Sequence, residues 1–573
     1  MGAITDSELS RRDVLKLGAG AVAGAAALSV VRSLPAAAAP SNLNEMTVAQ
    51  MQAAMASNQL SSLDLVNFYL TRIKTLDQSG PTVNSVIEVN PDATAIAQSL
   101  DAERRAGHVR GPLHGIPVLL KDNVGTGDKM QTAAGSLGLV GSPAAHDSAV
   151  AANLRDAGAV ILGKTTLSEW ANFRSFFSTS GWSGRGGQCN NPYALDRNPC
   201  GSSSGSGAAS SANFTAVSIG SETDGSIVCP ASMNGVVGIK PTVGLTSRGG
   251  VVPISHTQDT VGPHCRTVAD AAAVLTAIAQ RTPDPLDPAT SANRNKIPAD
   301  YTKFLNPSGL SGARIGVARD FEGFSPHADA VFEDSLTAMS KAGATLVDVF
   351  FPHISDINSG GAEFTVLLFD FKGDLQKYFA TRTGVPLAGG TLQTAIDFDN
   401  ANAAKEMPFF AQEIFDLAES FSDDPTVTQA FGFSYNDALT FDKLIGATEG
   451  IDLLLQQNNL DAIVAPTDSP AFPTDLINAD HFVFGSSSPA AIVGYPIINV
   501  PMGMTFGVPV GISFMGTAFS EPKLITLASG FEAVTHARQQ PTFLATLPFN
   551  TRGEPTRVKQ RRLMPARVAP SHI

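Results

Sequence analysis

Between Gly181 and Gly250 the chain is dense in glycine and serine, yet it is interleaved with apolar runs that need burial. That combination limits what it can fold into more than any other feature. The polar runs are Gly201-Ser-Ser-Ser-Gly-Ser-Gly207 and Gly220-Ser-Glu-Thr-Asp-Gly-Ser226. The apolar ones are Phe214-Thr-Ala-Val-Ser-Ile219, Ile227-Val-Cys-Pro230 and Val236-Val-Gly-Ile239. A flexible linker would carry only the first kind. A Ser/Gly loop drawn into the interior must satisfy its own backbone N–H groups or present them to a ligand. The segment therefore reads as a site.

The flanking sequence alternates helix and short buried strand. Met51 and Met55, then Leu63, Val66 and Leu70, fall at helical spacings, with Ser62 placed to cap. Val118-Leu-Leu120 reads as the end of a buried strand that leads into Lys121. Asp147 or Ser148 can cap a helix carrying Val150 and Leu154, which Gly158 ends before a strand at Ala159–Leu162. The same joint recurs where a helix around Val331–Lys341 meets Gly343 and then Thr345–Val349. Further strands are expected at Asp461–Ala465 and Val510–Phe514, the latter before a helix capped by Ser520. This rate of alternation argues for an α/β protein with helices on both faces of a sheet. A chain of 573 residues has room for several domains. Because the site-forming motifs lie inside one continuous pattern, a single domain over residues 40–551 is expected.

The two ends read differently. Ser10-Arg-Arg-Asp-Val-Leu-Lys16 precedes an apolar run from Gly18 to Val31 and then Pro35-Ala-Ala-Ala-Ala39. A charged start, a short apolar stretch and a small-residue cleavage site make an export signal over residues 1–39. Arg11 and Arg12 make it resemble a twin-arginine signal, which implies the twin-arginine export machinery as a partner and a periplasmic or secreted location. The apolar run is too short to span a bilayer, so no stable membrane insertion is expected. Residues 552–573 hold six basic groups and one acidic group and read as a solvated, flexible tail. The whole chain has a net charge of -13, but residues 40–551 carry 29 basic and 48 acidic groups, or -19. That acidity weighs against a nucleic-acid partner. Four cysteines exclude a disulfide-built fold. The disulfide state of Cys189, Cys200, Cys229 and Cys265 stays open; Cys200 and Cys229 read as small buried packing residues, although an exported protein can oxidise them.

Several serine-based chemistries are testable in the sequence. Gly201-Ser-Ser-Ser-Gly205 satisfies G-x-S-x-G with Ser203 as nucleophile, but that elbow needs a buried strand before it. The preceding Asn190–Cys200 segment, with two prolines and three asparagines, is no such strand. Ser520-Glu-Pro-Lys523 matches S-x-x-K without the companion motifs of that class. No H-E-x-x-H is present and the ten histidines are scattered, so a metal hydrolase lacks its ligands. A serine with a lysine base remains. By spacing alone Lys121 reads as a surface lysine whose stem covers apolar residues. Buried beside the Ser/Gly loop, it would lose its proton and become a base. His114 reads as structural.

Gly115-Ile-Pro-Val-Leu-Leu-Lys-Asp-Asn123, Gly201–Ser206, Thr223-Asp-Gly-Ser-Ile227 with Pro230, Gly238-Ile-Lys-Pro-Thr242 and Gly262-Pro263 to Asp270 together resemble the amidase signature family. The matches run in order through residues 110–270, with a weaker echo at Tyr495-Pro-Ile-Ile-Asn-Val-Pro-Met-Gly503. The resemblance implies one large domain built on a mixed, twisted central sheet, and a hydrolase that needs neither metal nor organic cofactor. It implies Ser226 as nucleophile, Ser202 as a relay held by a cis peptide bond, and Lys121 as the neutral base. The 24-residue interval from Ser202 to Ser226 fits the family and selects Ser202 over its neighbours. Backbone N–H groups of Thr223, Asp224, Gly225 and Ser226 would bind the oxyanion. Where most members have Gly-Gly before the nucleophile, this chain has Asp224-Gly225, and Val228 replaces a common arginine. Gly181–Gln188, Asp196–Gly201 and Gly220–Pro230 look most like the peptide amidases, which convert C-terminal peptide amides to free acid and ammonia through an acyl-enzyme. Asp224 is expected either to repel a product carboxylate or only to cap a turn. A broad aliphatic or aryl amidase and a catalytically inactive binding protein are the alternative readings.

Overall fold

The computed structural model describes residues 43–292 and 294–548. The expected export signal and basic tail lie outside the described residues, as do the two ends of the expected 40–551 domain. Thirteen strands occur among the described residues. In chain order they are β1 (Val86–Val89), β2 (Pro117–Lys121), β3 (Val160–Thr165), β4 (Trp182–Ser183), β5 (Gly187–Gln188), β6 (Val217–Glu222) and β7 (Val237–Lys240). There follow β8 (Thr260–Cys265), β9 (Arg314–Ala318), β10 (Thr345–Val349), β11 (Ala462–Pro466), β12 (Ile497–Thr505) and β13 (Val508–Met515). Eleven join in one sheet ordered β1-β3-β2-β6-β8-β7-β12-β13-β11-β9-β10, while β4 and β5 pair separately. Pairing is parallel at β2/β3, β2/β6, β9/β10 and β9/β11. It is antiparallel at the remaining joints of the sheet, so the sheet is mixed.

Alternation along the strands shows that both faces are covered. Ala462, Val464, Ile498 and Phe514 belong to one apolar core, while their neighbours Ile463, Ala465, Ile497 and Met515 belong to another. Successive side chains point to opposite faces of a strand, so each face has its own helices and its own core. Strands β2, β3, β6, β7, β8, β11 and β13 are buried along their whole length for that reason.

The expected strands are all present, and the recurring joint has a physical cause. Ser148 caps the helix Ala149–Asp156, its Oγ accepting from Ala151 N at 3.2 Å. Gly158 then takes φ 79° and turns the chain into β3. Gly343, at φ 98°, does the same between the helix Pro326–Lys341 and β10. Such left-handed backbone favours glycine. Two expected caps shift. Ser61, not Ser62, caps the helix Ser62–Arg72 in a capping box with Asp64. The Ser62 hydroxyl is instead committed to Gly115 O at 2.8 Å. Ser520 stands at the cap of the helix Glu521–Thr535 but makes no side-chain cap bond, because its backbone (φ -88°, ψ 9°) is not extended.

Candidate active site

The Ser/Gly-rich segment is interior. Residues 202–223 and 226–242 are all buried, with Asp224 and Gly225 half-buried between them. The helix Ser204–Ser211 is buried on every side, which its small side chains allow. A Cβ on Gly205 would stand 2.2 Å from Ser85 O and 2.6 Å from Thr166 O. The serines hand their hydroxyls to backbone carbonyls: Ser203 to Ser221 O (3.0 Å), Ser204 to Cys200 O (2.6 Å), Ser206 to Ile219 O (2.9 Å) and Ser210 to His264 O (3.0 Å). Each such bond contributes about 1 kcal/mol net, and an unmade one would cost more. Ser203 is thus structurally engaged, and among the described residues no strand lies between Gln188 and Ser203.

Strand β2 delivers Lys121 to this loop. Val118, Leu119 and Leu120 are buried, and Lys121 follows them at 0 % exposure, which decides against the surface-lysine reading. Its Nζ donates to Ser202 Oγ at 2.7 Å, Ser221 Oγ at 3.0 Å and Ser221 O at 3.2 Å. Burial pushes the amine down to about 7, against the pull of the Asp259 and Glu222 carboxylates. A neutral fraction is therefore present near pH 7. The Gly201–Ser202 peptide is cis.

Ser226 joins the Ser202 segment through the backbone, Ser203 N donating to Ser226 O at 3.2 Å. Among the described residues its hydroxyl has no hydrogen bond to Ser202. The turn that carries it is pinned on both sides. Glu222 Oε2 accepts from Ile227 N (2.6 Å) and Val228 N (3.0 Å). Thr223 Oγ1 donates to Asp259 Oδ1 at 2.5 Å, and Asp259 Oδ2 accepts from Ile254 N and Ser255 N. Gly225 has φ 76°, and a Cβ there would meet Ser487 Oγ at 3.2 Å. The N–H groups of Asp224, Gly225 and Ser226 make no hydrogen bond among the described residues. This is a set of donors without an acceptor, as an oxyanion site needs.

The Cys200 and Cys229 expectation is corrected. The two form a disulfide, with Cα atoms 5.9 Å apart, rather than merely packing. The fold brings them together because Cys200 precedes the cis peptide and Cys229 lies three residues beyond Ser226. Cys189 and Cys265 are free and buried. Asp224 does not cap a turn either. Its Oδ2 accepts from Ser488 Oγ at 2.6 Å, a contact 264 residues away in sequence. His114 is buried, with Nε2 3.0 Å from Leu100 O, in the structural role expected of it. His256, Asp370 and Asp374 bring three ligand atoms within 4.8 Å of one another. They are already paired, His256 Nδ1 with Asp374 Oδ2 at 2.8 Å, and they clasp the loop that leads to Asp259.

Residues 64–525 match the family model described as Amidase. The chain belongs to the amidase family. A native peptide amidase from Stenotrophomonas maltophilia superposes with TM-score 0.80 at 47% identity, covering 87% of this chain and 99% of that one. An Arabidopsis thaliana protein described as a probable amidase is 43% identical over 512 residues, 88% of this chain and 93% of its own length. A putative amidase of Arthroderma benhamiae is 39% identical over 495 residues, 83% of this chain and 79% of its own length. The amidase fold and amide hydrolysis follow from this membership.

Sequence reasoning missed Ser221, Asn123, Asp259 and Ser488. Asn123 and Ser221 stood inside quoted motifs, joined by Asn123 Nδ2 to Ser221 Oγ at 2.9 Å, so their place in the loop was available. The others come from distant segments that carry no local pattern.

Proposed function

We propose that this amidase hydrolyses the C-terminal amides of peptides, giving a free acid and ammonia through a Ser226 acyl-enzyme. The observation that carries the reading is the buried Lys121 Nζ within hydrogen-bond reach of Ser202 Oγ, 2.7 Å away, beside a turn with unused N–H groups. In the reactive arrangement Ser226 Oγ donates to Ser202 Oγ, a contact of the kind that commonly forms fully only when substrate binds. As Oγ attacks the amide carbon, its proton passes to Ser202 and the Ser202 proton to neutral Lys121. The oxyanion forms against the N–H groups of Thr223, Asp224, Gly225 and Ser226, where losing one donor costs roughly 100- to 1000-fold in rate. The C–N bond then breaks as the proton returns through Ser202 to the leaving ammonia. Water repeats the sequence on the acyl-enzyme and releases the acid. Likeness to the peptide amidase favours a peptide amide over a simple aryl or aliphatic one.

We also propose that the protein works outside the cytoplasm after export by the twin-arginine route. The Arg11-Arg12 segment motivates this, and the Cys200–Cys229 disulfide supports it, because such bonds persist in oxidising compartments.

Ammonia release from a panel of peptide amides, aryl amides and fatty amides tests the specificity. Release from C-terminally amidated peptides is expected; none from them would remove that specificity and leave the amidase chemistry in place.

A further inference from the structure

Away from the Ser226 turn, one side-chain cluster offers more acceptors than its own donors can fill. Asp370 and Asp374 stand one turn apart on the helix Gly361–Ala380 and so share a face of it. The loop that runs to Asp259 lays His256 across them, with Nδ1 2.8 Å from Asp374 Oδ2 and 3.4 Å from Asp370 Oδ1. The single Nδ1 proton can serve only one of these oxygens, and the shorter distance gives it to Asp374. Asp370 Oδ1 is left with no hydrogen-bond partner, although its residue is only 2 % exposed. A buried carboxylate oxygen in that state is costly unless something positive stands beside it.

The rest of the cluster is arranged as metal ligands are. Asp370 Oδ2 accepts from Ser255 Oγ and Thr257 Oγ1, both at 2.6 Å, which fixes the carboxylate and leaves Oδ1 for the His256 side. Asp374 Oδ2 also accepts from His256 N at 2.9 Å, and its Oδ1 from Lys377 Nζ at 2.9 Å. Outer hydrogen bonds of this kind orient ligating carboxylates. Two ligand atoms held on one ion at about 2.0–2.2 Å lie roughly 2.8–3.6 Å apart, and both distances from Nδ1 fall in that range. The His256 side chain is 58 % exposed, so an ion can enter and water can complete its coordination. Two cations stand near. Lys377 is largely exposed and free to swing away, and Arg248, which donates to His256 O at 2.5 Å, has its charge met by Asp287.

We propose that His256 Nδ1, Asp370 Oδ1 and Asp374 Oδ2 form a binding site for a divalent transition-metal ion of the zinc and cobalt class. One imidazole nitrogen with two carboxylate oxygens suits those ions, whereas calcium and magnesium take oxygen ligands throughout. The ion takes the place of the Nδ1 proton, which leaves to solvent, and it reaches the Asp370 oxygen that the proton cannot serve. Its role is that of a brace. Asp259, three residues beyond His256, accepts from Ile254 N and Ser255 N and holds Thr223 Oγ1 at 2.5 Å. An ion at His256 therefore secures the loop behind the turn that carries Ser226.

The test is calorimetric titration of the full chain, free of any histidine tag and stripped with EDTA, with Zn²⁺ and with Co²⁺. It compares wild type with His256→Gln, Asp370→Asn and Asp374→Asn at about pH 7.5, where protons compete weakly for imidazole. Wild type is expected to bind one ion that each variant binds at least tenfold more weakly, since losing even an outer hydrogen bond costs about 10–100-fold. No binding at about 1 mM metal overturns the proposal. Equal affinity in wild type and all three variants overturns it too, because the metal then sits elsewhere. Zn²⁺ should raise the thermal midpoint of wild type and leave that of His256→Gln unmoved; a wild-type midpoint unmoved at saturation overturns the brace. Should a variant fail to fold, anomalous scattering at the zinc edge from wild-type crystals decides. A peak between His256 Nδ1 and Asp370 Oδ1 is expected, and zinc found only at other residues overturns the site.

Discussion

Lys121 can serve as a base only because the fold keeps water from it. Its competent form is neutral, and burial brings the amine down to about 7, so kcat/KM should fall as pH drops through about 7 and level off above it. Asp259 opposes that depression. Asp259→Asn removes a negative charge that stabilises the ammonium form, so the acid limb should move to lower pH in a kcat/KM profile; a limb that moves up would contradict the assignment. Ser226→Ala should lower kcat by roughly 10⁶-fold, as when the nucleophile of a serine hydrolase is removed, with little change in thermal midpoint. The sequence placed Lys121 at the end of an apolar strand but left its exposure open. What closes the question is Ser202 and Ser221, 81 and 100 residues away. No local pattern reports a hydroxyl that arrives from another strand and loop, and a still longer separation of 264 residues hides Ser488 from Asp224.

The elements that meet at the site are held by two devices of different legibility. The Ser/Gly helix Ser204–Ser211 was readable as interior, because its polar runs alternate with strands β6 and β7 that must be buried. Its close approach to the chain at Ser85 and Thr166 depends on Gly205, where a Cβ has no room. Gly205→Ala should cost about 1–3 kcal/mol, the usual penalty of overpacking, measurable as a lower denaturant midpoint. The disulfide was not readable, since four cysteines allow several states and the sequence carries no distances. It links the residue before the cis peptide to the helix after Ser226, closing a loop of sequence separation 29. Replacing both cysteines by serine should lower stability by about 3–4 kcal/mol on the chain-entropy account. Because the link spans the Ser202 and Ser226 segments, to which the proposed mechanism gives the relay and the nucleophile, kcat should suffer more than KM; an unchanged kcat would show that the hydrogen bonds alone hold the register.

For the whole molecule, the regular alternation of helix and strand predicted one α/β domain with both faces covered, and the split of neighbouring strand residues between two cores matches it. The strand order was not legible. Parallel and antiparallel joints are mixed in a sheet whose order is β1-β3-β2-β6-β8-β7 on one side and β12-β13-β11-β9-β10 on the other, and local periodicity carries no information about which strand becomes a neighbour. The order matters to function: it sets β2 beside β6, and so brings Lys121 to Ser221 and the turn ending at Ser226. In the proposed mechanism this turn carries the nucleophile. Incubation with an activated ester or amide at low pH, followed by proteolysis and mass spectrometry, should find the acyl group on Ser226 and no adduct in Ser226→Ala. An acyl group on Ser202 or Ser203, or an adduct that persists in Ser226→Ala, would contradict it.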